Sequence, residues 1–131
     1  MGLFRQSLEE WTAKKITDEA LARSVALYNE NRILLKELSD RRKTSPPALG
    51  GADFLEVSLA SAVMPKEDHN TLLRQELAKK PTPSTAKGGR PRLLLSGSMI
   101  DNTDLPRLIE SCGVDLVSDD LCTGSRYYWD L

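Results

Sequence analysis

Apolar residues in the first two thirds of the chain recur every three or four positions, which is the spacing of one face of an α-helix. The longest stripe of this kind lies between Thr17 and Lys43 and predicts one long helix. Its apolar face consists of Leu21, Val25, Tyr28 and Leu35 with the neighbouring Leu27, Leu34 and Leu38, and its polar face carries Glu30, Lys36 and Asp40.

The residues at the two ends of this stripe agree with a helix. Thr17 is the expected N-cap, and Asp18 and Glu19 fall in the first turn, where carboxylates interact favourably with free amides. Positive charge is favourable at the other end of a helix. That end carries Arg41, Arg42 and Lys43.

Two shorter helices are predicted after chain breakers that contain proline and glycine, Ser45-Pro46-Pro47 and Gly50-Gly51. One helix is expected over residues 52–63. Another begins after Pro65, a residue that suits the first helical turn. Its apolar face contains Leu72, Leu73 and Leu77. The first part of the chain is therefore predicted to be entirely helical.

The apolar pattern changes after the linker 81–89, and we place a domain boundary near residue 90. The apolar run 92–96 ends in Ser-Gly-Ser and predicts a buried strand that enters a loop. A helix should follow, with apolar Leu105, Leu108 and Ile109, an N-cap at Thr103 or Asp104, and a stop at Gly113. Residues 114–117 form the next predicted strand.

These elements predict an α/β fold: residues 1–88 are a helical segment and linker, and residues 89–131 begin a doubly wound parallel sheet. Only one β-α-β unit is present. Parallel sheets normally have several strands and helices on both faces, so we expect residues outside this chain to complete the sheet.

Composition excludes few functions. The chain has 131 residues, 18 basic and 19 acidic, and a net charge of −1, so charge predicts neither a nucleic-acid partner nor a membrane surface. No apolar run is long enough for a bilayer span, and the first residues lack a signal-peptide core, which favours a cytoplasmic protein. The two cysteines are expected to be free thiols and cannot alone form a metal or cluster site.

Two loops leave the carboxyl ends of the predicted strands, at the edge where open α/β sheets bind ligands. Glycine, hydroxyl groups and a guanidinium on such a loop can hold an anionic or thioester-bearing ligand. A purely structural role is equally open for each residue, and the aromatic Tyr127, Tyr128 and Trp129 are equally open as core residues. The candidate residues are Ser96, Gly97, Ser98, Asp101, Asp119, Asp120, Cys122, Thr123, Gly124, Ser125 and Arg126.

The second half of the chain, from Gly89 through Gly97 and from Asp119 to Trp129, resembles the 2-hydroxyacyl-CoA dehydratase and benzoyl-CoA reductase family. The first half agrees with this resemblance. The segments Tyr28-Asn29-Glu30-Asn31-Arg32, Pro46-Pro47 and Val63 to Asn70 are similar to the helical middle segment of the same subunits, in the same order.

The resemblance implies a longer subunit with two α/β domains, a helical segment between them and an oxygen-sensitive four-iron four-sulfur cluster. Such subunits pair with a second homologous subunit, and an ATP-hydrolysing iron–sulfur activator delivers one electron at low potential. The acyl-CoA substrate becomes a ketyl radical, which permits loss of a β-proton and of hydroxide. The reductase branch drives electrons into an aromatic ring instead. In both branches the cluster supplies the difficult chemistry and the protein supplies position and electrostatics.

Against the family pattern, this sequence lacks the amino-terminal domain with two of the three cluster cysteines, and the third is expected beyond Leu131. The pattern places Cys122 near the cluster and the substrate pocket, not as a ligand. Cys112 is expected to be a small buried hydrophobe, and no cofactor is expected for this chain alone.

Basic residues and the single histidine are weaker candidates. His69 lies in a polar stretch and is expected at the surface. Lys87, Arg90 and Arg92 could meet the phosphates of CoA, although such residues are usually only solvated. Arg126 is the better candidate for an anion or thioester contact.

We therefore interpret the chain as an inactive fragment of an iron–sulfur 2-hydroxyacyl-CoA dehydratase subunit. A benzoyl-CoA reductase subunit is the alternative within the family. A non-catalytic scaffold module, with the helical half as its interface, is the alternative if the short chain is a genuine product.

Overall fold

The computed structural model describes residues 2–81 and 89–129 and shows a helical segment followed by a parallel β-α-β unit. This confirms the predicted incomplete α/β fold. The elements are α1 (Gly2–Thr12), α2 (Asp18–Asp40), a 3-10 turn (Arg41–Lys43), α3 (Gly51–Val63), α4 (Lys66–Ala78), β1 (Arg92–Ser96), α5 (Asp104–Ser111), β2 (Asp115–Asp120) and a second 3-10 turn (Ser125–Tyr127).

Helix α1 agrees with the predicted helical first part of the chain, although it was not predicted as an individual helix. It is held against the start of α2 by polar contacts: Arg5 Nη1 lies 2.6 Å from Asp18 Oδ1, and Glu9 Oε1 accepts a hydrogen bond from Ile16 N at 2.7 Å. Its large apolar side chains, including Phe4 and Trp11, are exposed. Its apolar residues Leu3, Phe4, Leu8 and Trp11 do recur at helical spacing, so the sequence carried a signal for this helix.

Helix α2 begins as predicted but is buried over only part of its length. Thr17 is the N-cap, and its hydroxyl accepts a hydrogen bond from Ala20 N at 3.2 Å. Leu35 and Leu38 are fully buried, whereas Leu21 and Val25 are exposed. The predicted apolar stripe therefore reaches the core only in its carboxyl-terminal half.

The main core joins the helical segment to the last turn of the chain. It contains Leu35, Leu38, Phe54, Leu73 and Tyr128. The Phe54 and Tyr128 rings meet edge to face, with centroids 5.9 Å apart. Of the three aromatic residues that were open as core residues, Tyr128 is buried and Trp129 is exposed.

The two strands are parallel neighbours, and Leu93 is in register with Leu116. The prediction that β1 is buried was wrong, because Leu93 and Leu94 are both exposed. Helices α3 and α5 pack on β2, and within the described ranges β1 has a strand on one edge only. Strand β2 extends to Asp120, so Asp119 and Asp120 belong to the strand instead of the predicted loop.

The ends of α5 correct two further expectations. Thr103 is the N-cap residue, as predicted, but its side chain makes no capping hydrogen bond; Asn102 Oδ1 accepts the bond from Asp104 N at 3.1 Å. Gly113 has a φ of +86°, as a helix-terminating glycine often does. Cys112 is exposed and not the predicted buried hydrophobe, because it sits at the surface in the C-cap of this helix.

Two close contacts fix α3 against the β-α-β unit. A Cβ atom on Gly51 would lie 2.4 Å from Leu116 Cβ, so the backbone of α3 approaches β2 more closely than a side chain permits. The Glu110 carboxylate accepts hydrogen bonds from Gly51 N at 2.7 Å and from Ala52 N at 3.3 Å. It thus caps a helix whose own N-cap, Gly50, has no side chain.

The predicted linker lies mostly outside the described residues, which end at Pro81 and resume at Gly89. The domain boundary near residue 90 stays a prediction. None of the helices in the described part of the chain has the length and apolar character needed to cross a bilayer.

Candidate functional site

The two predicted loops lie side by side at the carboxyl ends of the strands. Backbone hydrogen bonds continue past the last paired residues: Gly97 N donates to Asp120 O at 3.2 Å, and Cys122 N donates to Ser98 O at 2.8 Å. We call residues 96–101 the β1 loop and residues 121–126 the β2 loop. The structure therefore brings both sets of candidate residues together.

Thr123 ties the two loops to each other and to the helical segment. Its hydroxyl donates to Ile100 O at 2.9 Å, and its carbonyl accepts a hydrogen bond from Ser58 on α3 at 2.7 Å. This hydroxyl is therefore committed to holding the loops and is not a free ligand donor.

Four polar side chains form an exposed row at this edge of the sheet. We call Ser96, Asp120, Cys122 and Arg126 the polar row. Arg126 contacts Asp120 through two bonds, Nε to Oδ1 at 2.6 Å and Nη2 to Oδ2 at 2.8 Å. Arg126 Nη1 lies 3.4 Å from Cys122 Sγ, and Ser96 Oγ donates to Asp120 at 3.2 Å. The Arg126 guanidinium thus contacts both the carboxylate of Asp120 and the thiol of Cys122.

The charges of this row reinforce each other. Hydrogen bonds from Arg126, and then from Ser96, hold the pKa of Asp120 below its usual range. The hydrogen bond to Asp120 is the main cause of a raised pKa of Arg126. Exposed ion pairs contribute little to stability, so an anionic ligand could replace Asp120 as the partner of Arg126 at small cost.

A buried ion pair lies directly behind this row. Arg42 Nη1 and Asp119 Oδ2 are 2.7 Å apart, with exposed side-chain fractions of only 3% and 7%. Arg42 Nη2 also donates to Ser39 Oγ at 2.6 Å and to Tyr128 Oη at 3.2 Å. Its guanidinium carbon lies 3.9 Å from the centroid of the Phe54 ring.

Asp119 also fixes the shape of the β2 loop. Its Oδ1 accepts a hydrogen bond from Ser125 N at 2.6 Å, and its carbonyl accepts one from Ser125 Oγ at 2.6 Å. A Cβ atom on Gly124 would lie 2.0 Å from Asp119 Oδ1, so this loop needs glycine where it crosses the carboxylate. Gly124 and Ser125 thus fix the backbone just before Arg126 and help to position its side chain.

A cleft of about 390 Å³ adjoins the polar row, and its volume would accommodate a small ligand. Leu94 and Trp129 provide apolar walls, while Asp120, Ser125 and Arg126 provide the polar wall. Trp129 is largely exposed there. Its flat side chain was not a predicted site residue.

The other basic candidates are bonded within the chain. Arg90 donates to the carbonyls of Glu110 and Val114 at 2.6 and 2.8 Å, and Arg92 donates to the carbonyls of Thr44 and Lys43 at 2.8 and 3.0 Å. Both arginines therefore link backbone segments. Lys87 lies outside the described residues.

The prediction for His69 was wrong, because its side chain is only 2% exposed. Nε2–H donates to Val57 O at 3.1 Å, so Nδ1 is the acceptor of the hydrogen bond from Asn31 Nδ2 at 2.8 Å. Burial is the main cause of a lowered pKa, and the nearby Lys66 adds to it. The imidazole is thus a neutral member of a buried polar network.

The described residues do not supply the ligands for an iron–sulfur cluster. Such clusters usually require four cysteine thiolates, and the chain has two cysteines. Within residues 2–81 and 89–129, no group of three or more His, Cys, Asp or Glu side chains is placed to hold a metal ion.

Sequence reasoning missed Arg42 and Ser39, which belong to the buried polar contacts next to the site. Arg42 was interpreted only as a helix-terminal charge, and Ser39 was not singled out. Their signal was indirect: Asp119 precedes a glycine and a serine that would allow a loop to fold back on it. The partner on α2 and its following turn cannot be found from local spacing.

Comparison with known proteins identifies relatives of the whole chain. A family model described as 2-hydroxyglutaryl-CoA dehydratase, D-component, matches residues 1–131. The chain is 33% identical to a benzoyl-CoA reductase subunit of Thauera aromatica over 125 residues, which cover 94% of this chain and 32% of that protein. It is 28% identical to the (R)-phenyllactyl-CoA dehydratase beta subunit of Clostridium sporogenes, covering 94% of this chain and 33% of that protein.

A third relative is the beta subunit of lactoyl-CoA dehydratase from Anaerotignum propionicum, with 29% identity over 95% of this chain and 33% of that protein. The chain thus spans about a third of the length of the curated relatives it matches.

Proposed function

Because the chain belongs to the 2-hydroxyglutaryl-CoA dehydratase D-component family, we propose that it is a segment of an enzyme subunit that acts on an acyl-CoA thioester. The complete protein would eliminate water from a 2-hydroxyacyl-CoA. Two relatives are named as dehydratases of such thioesters. In this proposal the segment helps to bind and orient the substrate.

The observation that carries this role is the polar row of Ser96, Asp120, Cys122 and Arg126 at the carboxyl edge of the sheet. Ligands of open α/β sheets bind at that edge. The adjoining cleft has both an apolar and a polar wall, which suits an acyl chain with a thioester carbonyl. Arg126 would contact the carbonyl or a nearby anionic group by exchanging its bond to Asp120.

The buried pair behind the row would keep this arrangement rigid. Asp119 holds the backbone of Ser125 next to Arg126, and Arg42 anchors Asp119 to the helical segment. Pre-organised donors lower the cost of ordering a site when the ligand binds. Arg42 and Asp119 are thus proposed as positioning residues and Arg126 as the contact residue.

The remaining parts of the proposal concern the complete protein. A four-iron four-sulfur cluster would be held by residues outside this chain and would supply the low-potential electron transfer. A second homologous subunit and an ATP-dependent iron–sulfur activator would be the partners. The relatives are named as subunits, which supports a partner subunit.

The test uses the full-length protein and an Arg126→Ala variant. Loss of one charge-assisted contact of about 1.5 to 3 kcal/mol should weaken acyl-CoA binding by about tenfold or more. The matched control is Arg107→Ala, which removes an exposed arginine that also contacts two carboxylates, Asp53 and Glu56. Calorimetric titration with a 2-hydroxyacyl-CoA would measure both dissociation constants. Equal constants for the wild type and Arg126→Ala would contradict the assigned role.

A benzoyl-CoA reductase subunit is the second candidate, supported by the 33% identity to a protein of that name. The polar row fits either substrate, since both are CoA thioesters. Assays of the complete enzyme with a 2-hydroxyacyl-CoA and with benzoyl-CoA distinguish the two. Turnover of benzoyl-CoA alone would replace the dehydratase proposal.

A further inference from the structure

A second polar cluster lies where α2, α3 and α4 meet the 3-10 turn that ends in Tyr127, the residue after the β2 loop. At its centre is Lys66, whose side chain is only 8% exposed. Its Nζ donates to Ser61 Oγ at 2.7 Å and also to the Ser61 carbonyl. Two of the three ammonium N–H groups are thereby used, and one is left for another partner.

A second cation lies beside this lysine. The guanidinium carbon of Arg32 is 5.1 Å from the centroid of the Tyr127 ring, and Lys66 Nζ is 5.4 Å from the same centroid. Lys66 Nζ is also 5.2 Å from the centroid of the Tyr28 ring. Both cations therefore contact the Tyr127 ring, and contact with the rings offsets part of their desolvation.

These two charges have no counter-ion in the described part of the chain. No carboxylate oxygen in residues 2–81 and 89–129 lies within 4.0 Å of either cation. The neighbouring acid Glu30 is occupied by Arg74 and Asn70. Burial, together with the charge of Arg32, lowers the pKa of Lys66. Of the two cations, Lys66 is buried; a buried charge is normally paired, so its position is costly unless an anion is bound.

Two polar atoms in the cluster also lack a bond among the described residues. Arg32 Nε and Tyr127 Oη are buried without a hydrogen-bond partner. Such atoms are uncommon in folded proteins, and a bound ion is one of the explanations for them. Tyr28 is about half exposed, and Arg32 and Tyr127 are partly exposed, so the cluster can be reached from solvent.

We propose that Lys66, Arg32 and Tyr127 form a binding site for a dianionic oxyanion of the phosphate class. Two cations match the charge of a dianion, whereas a carboxylate would leave one positive charge uncompensated. The three open donors are the remaining Lys66 N–H, Arg32 Nε–H and the Tyr127 hydroxyl. The site goes beyond the proposed acyl-CoA role and does not depend on it.

The first experiment titrates inorganic phosphate into the full-length protein by isothermal calorimetry. Tyr127→Phe removes only a hydroxyl that lacks a partner, so it should leave the fold intact and weaken phosphate binding by about tenfold. Lys66→Met should weaken binding further. The control is Lys36→Met, an exposed lysine one turn after Arg32 on the same helix, which should leave the dissociation constant unchanged.

The second experiment titrates an acyl-CoA into the same variants and identifies the source of the oxyanion. If Tyr127→Phe weakens both ligands, the site holds a phosphate group of the CoA moiety. If it weakens phosphate alone, the site takes a free oxyanion. The proposal is overturned if the wild type does not bind phosphate or if Tyr127→Phe binds it as tightly as the wild type. Because the phosphate titration alone decides this, failure of acyl-CoA binding would count only against the proposed function.

Discussion

Neutralising Asp119 tests whether the buried ion pair supports the β2 loop. Asp119→Asn keeps the size of the side chain and an oxygen that can accept the hydrogen bond from Ser125 N. It removes the charge that faces Arg42 at 2.7 Å, where both side chains are more than nine-tenths buried. Arg42 would then be a buried cation without a counter-charge, which typically costs about 3 to 5 kcal/mol.

The exposed pair of Asp40 and Lys43 provides the matched control. Their N to O distance is 2.6 Å, similar to that of the buried pair, but both side chains are exposed. Asp40→Asn should lower the free energy of unfolding by no more than about 1 kcal/mol. Since distance and charge change are alike, the difference between the two variants measures the effect of burial.

Urea denaturation of the full-length protein, followed by circular dichroism, measures both free energies. The double variant Arg42→Met with Asp119→Asn should be more stable than the sum of the single losses predicts, by about 2 kcal/mol or more, because it removes both charges. If Asp119→Asn costs no more than Asp40→Asn, the ion pair does not support the loop and the reasoning is refuted.

Two further predictions concern packing and pH. Gly51→Ala should lower the free energy of unfolding by about 1 to 3 kcal/mol, because its Cβ would meet Leu116 O at 2.6 Å. The control Gly50→Ala should cost less, because the nearest contact of its Cβ would be 3.4 Å away. Equal urea midpoints for the two variants would contradict the close approach. The His69 pKa is lowered on folding, so its stabilising contribution is complete above the unfolded pKa of 6.5 and is lost as the pH falls below it. Between pH 7.5 and 5 this loss is at most about 2 kcal/mol, and the unfolding free energy of a His69→Gln variant should depend less on pH over that range; identical slopes would exclude a neutral buried imidazole.

The regular elements could be predicted because their signals are local. The N-cap at Thr17, the glycine stop at Gly113 and the change from helical to strand periodicity near residue 90 each depend on a few adjacent residues. The parallel β-α-β unit follows from them. The same reasoning placed both loops at one sheet edge, where a hydrogen bond from Cys122 N to Ser98 O joins them.

The buried polar residues could not be predicted, because their partners are distant in sequence. His69 lies among charged neighbours that suggest a surface, yet Asn31 on another helix provides the bond that makes burial favourable. In the sequence Arg42 likewise looks like a solvated residue at a helix end, but in the fold it pairs with Asp119 on β2. Leu93 and Leu94 of β1 are exposed because no element of the described residues covers them. An apolar run in the sequence does not show whether such an element is present.

The contacts of Gly51 with Leu116, and of Glu110 with the first amides of α3, join the two segments without involving the chain between Pro81 and Gly89. These contacts act in addition to the covalent link. Its contribution is to the effective concentration of one segment for the other, a quantity that falls only slowly as a connection is lengthened. Insertions between residues 81 and 89 should accordingly be tolerated, whereas a side chain added at Gly51 should move α3 away from β2 whatever the length of that connection.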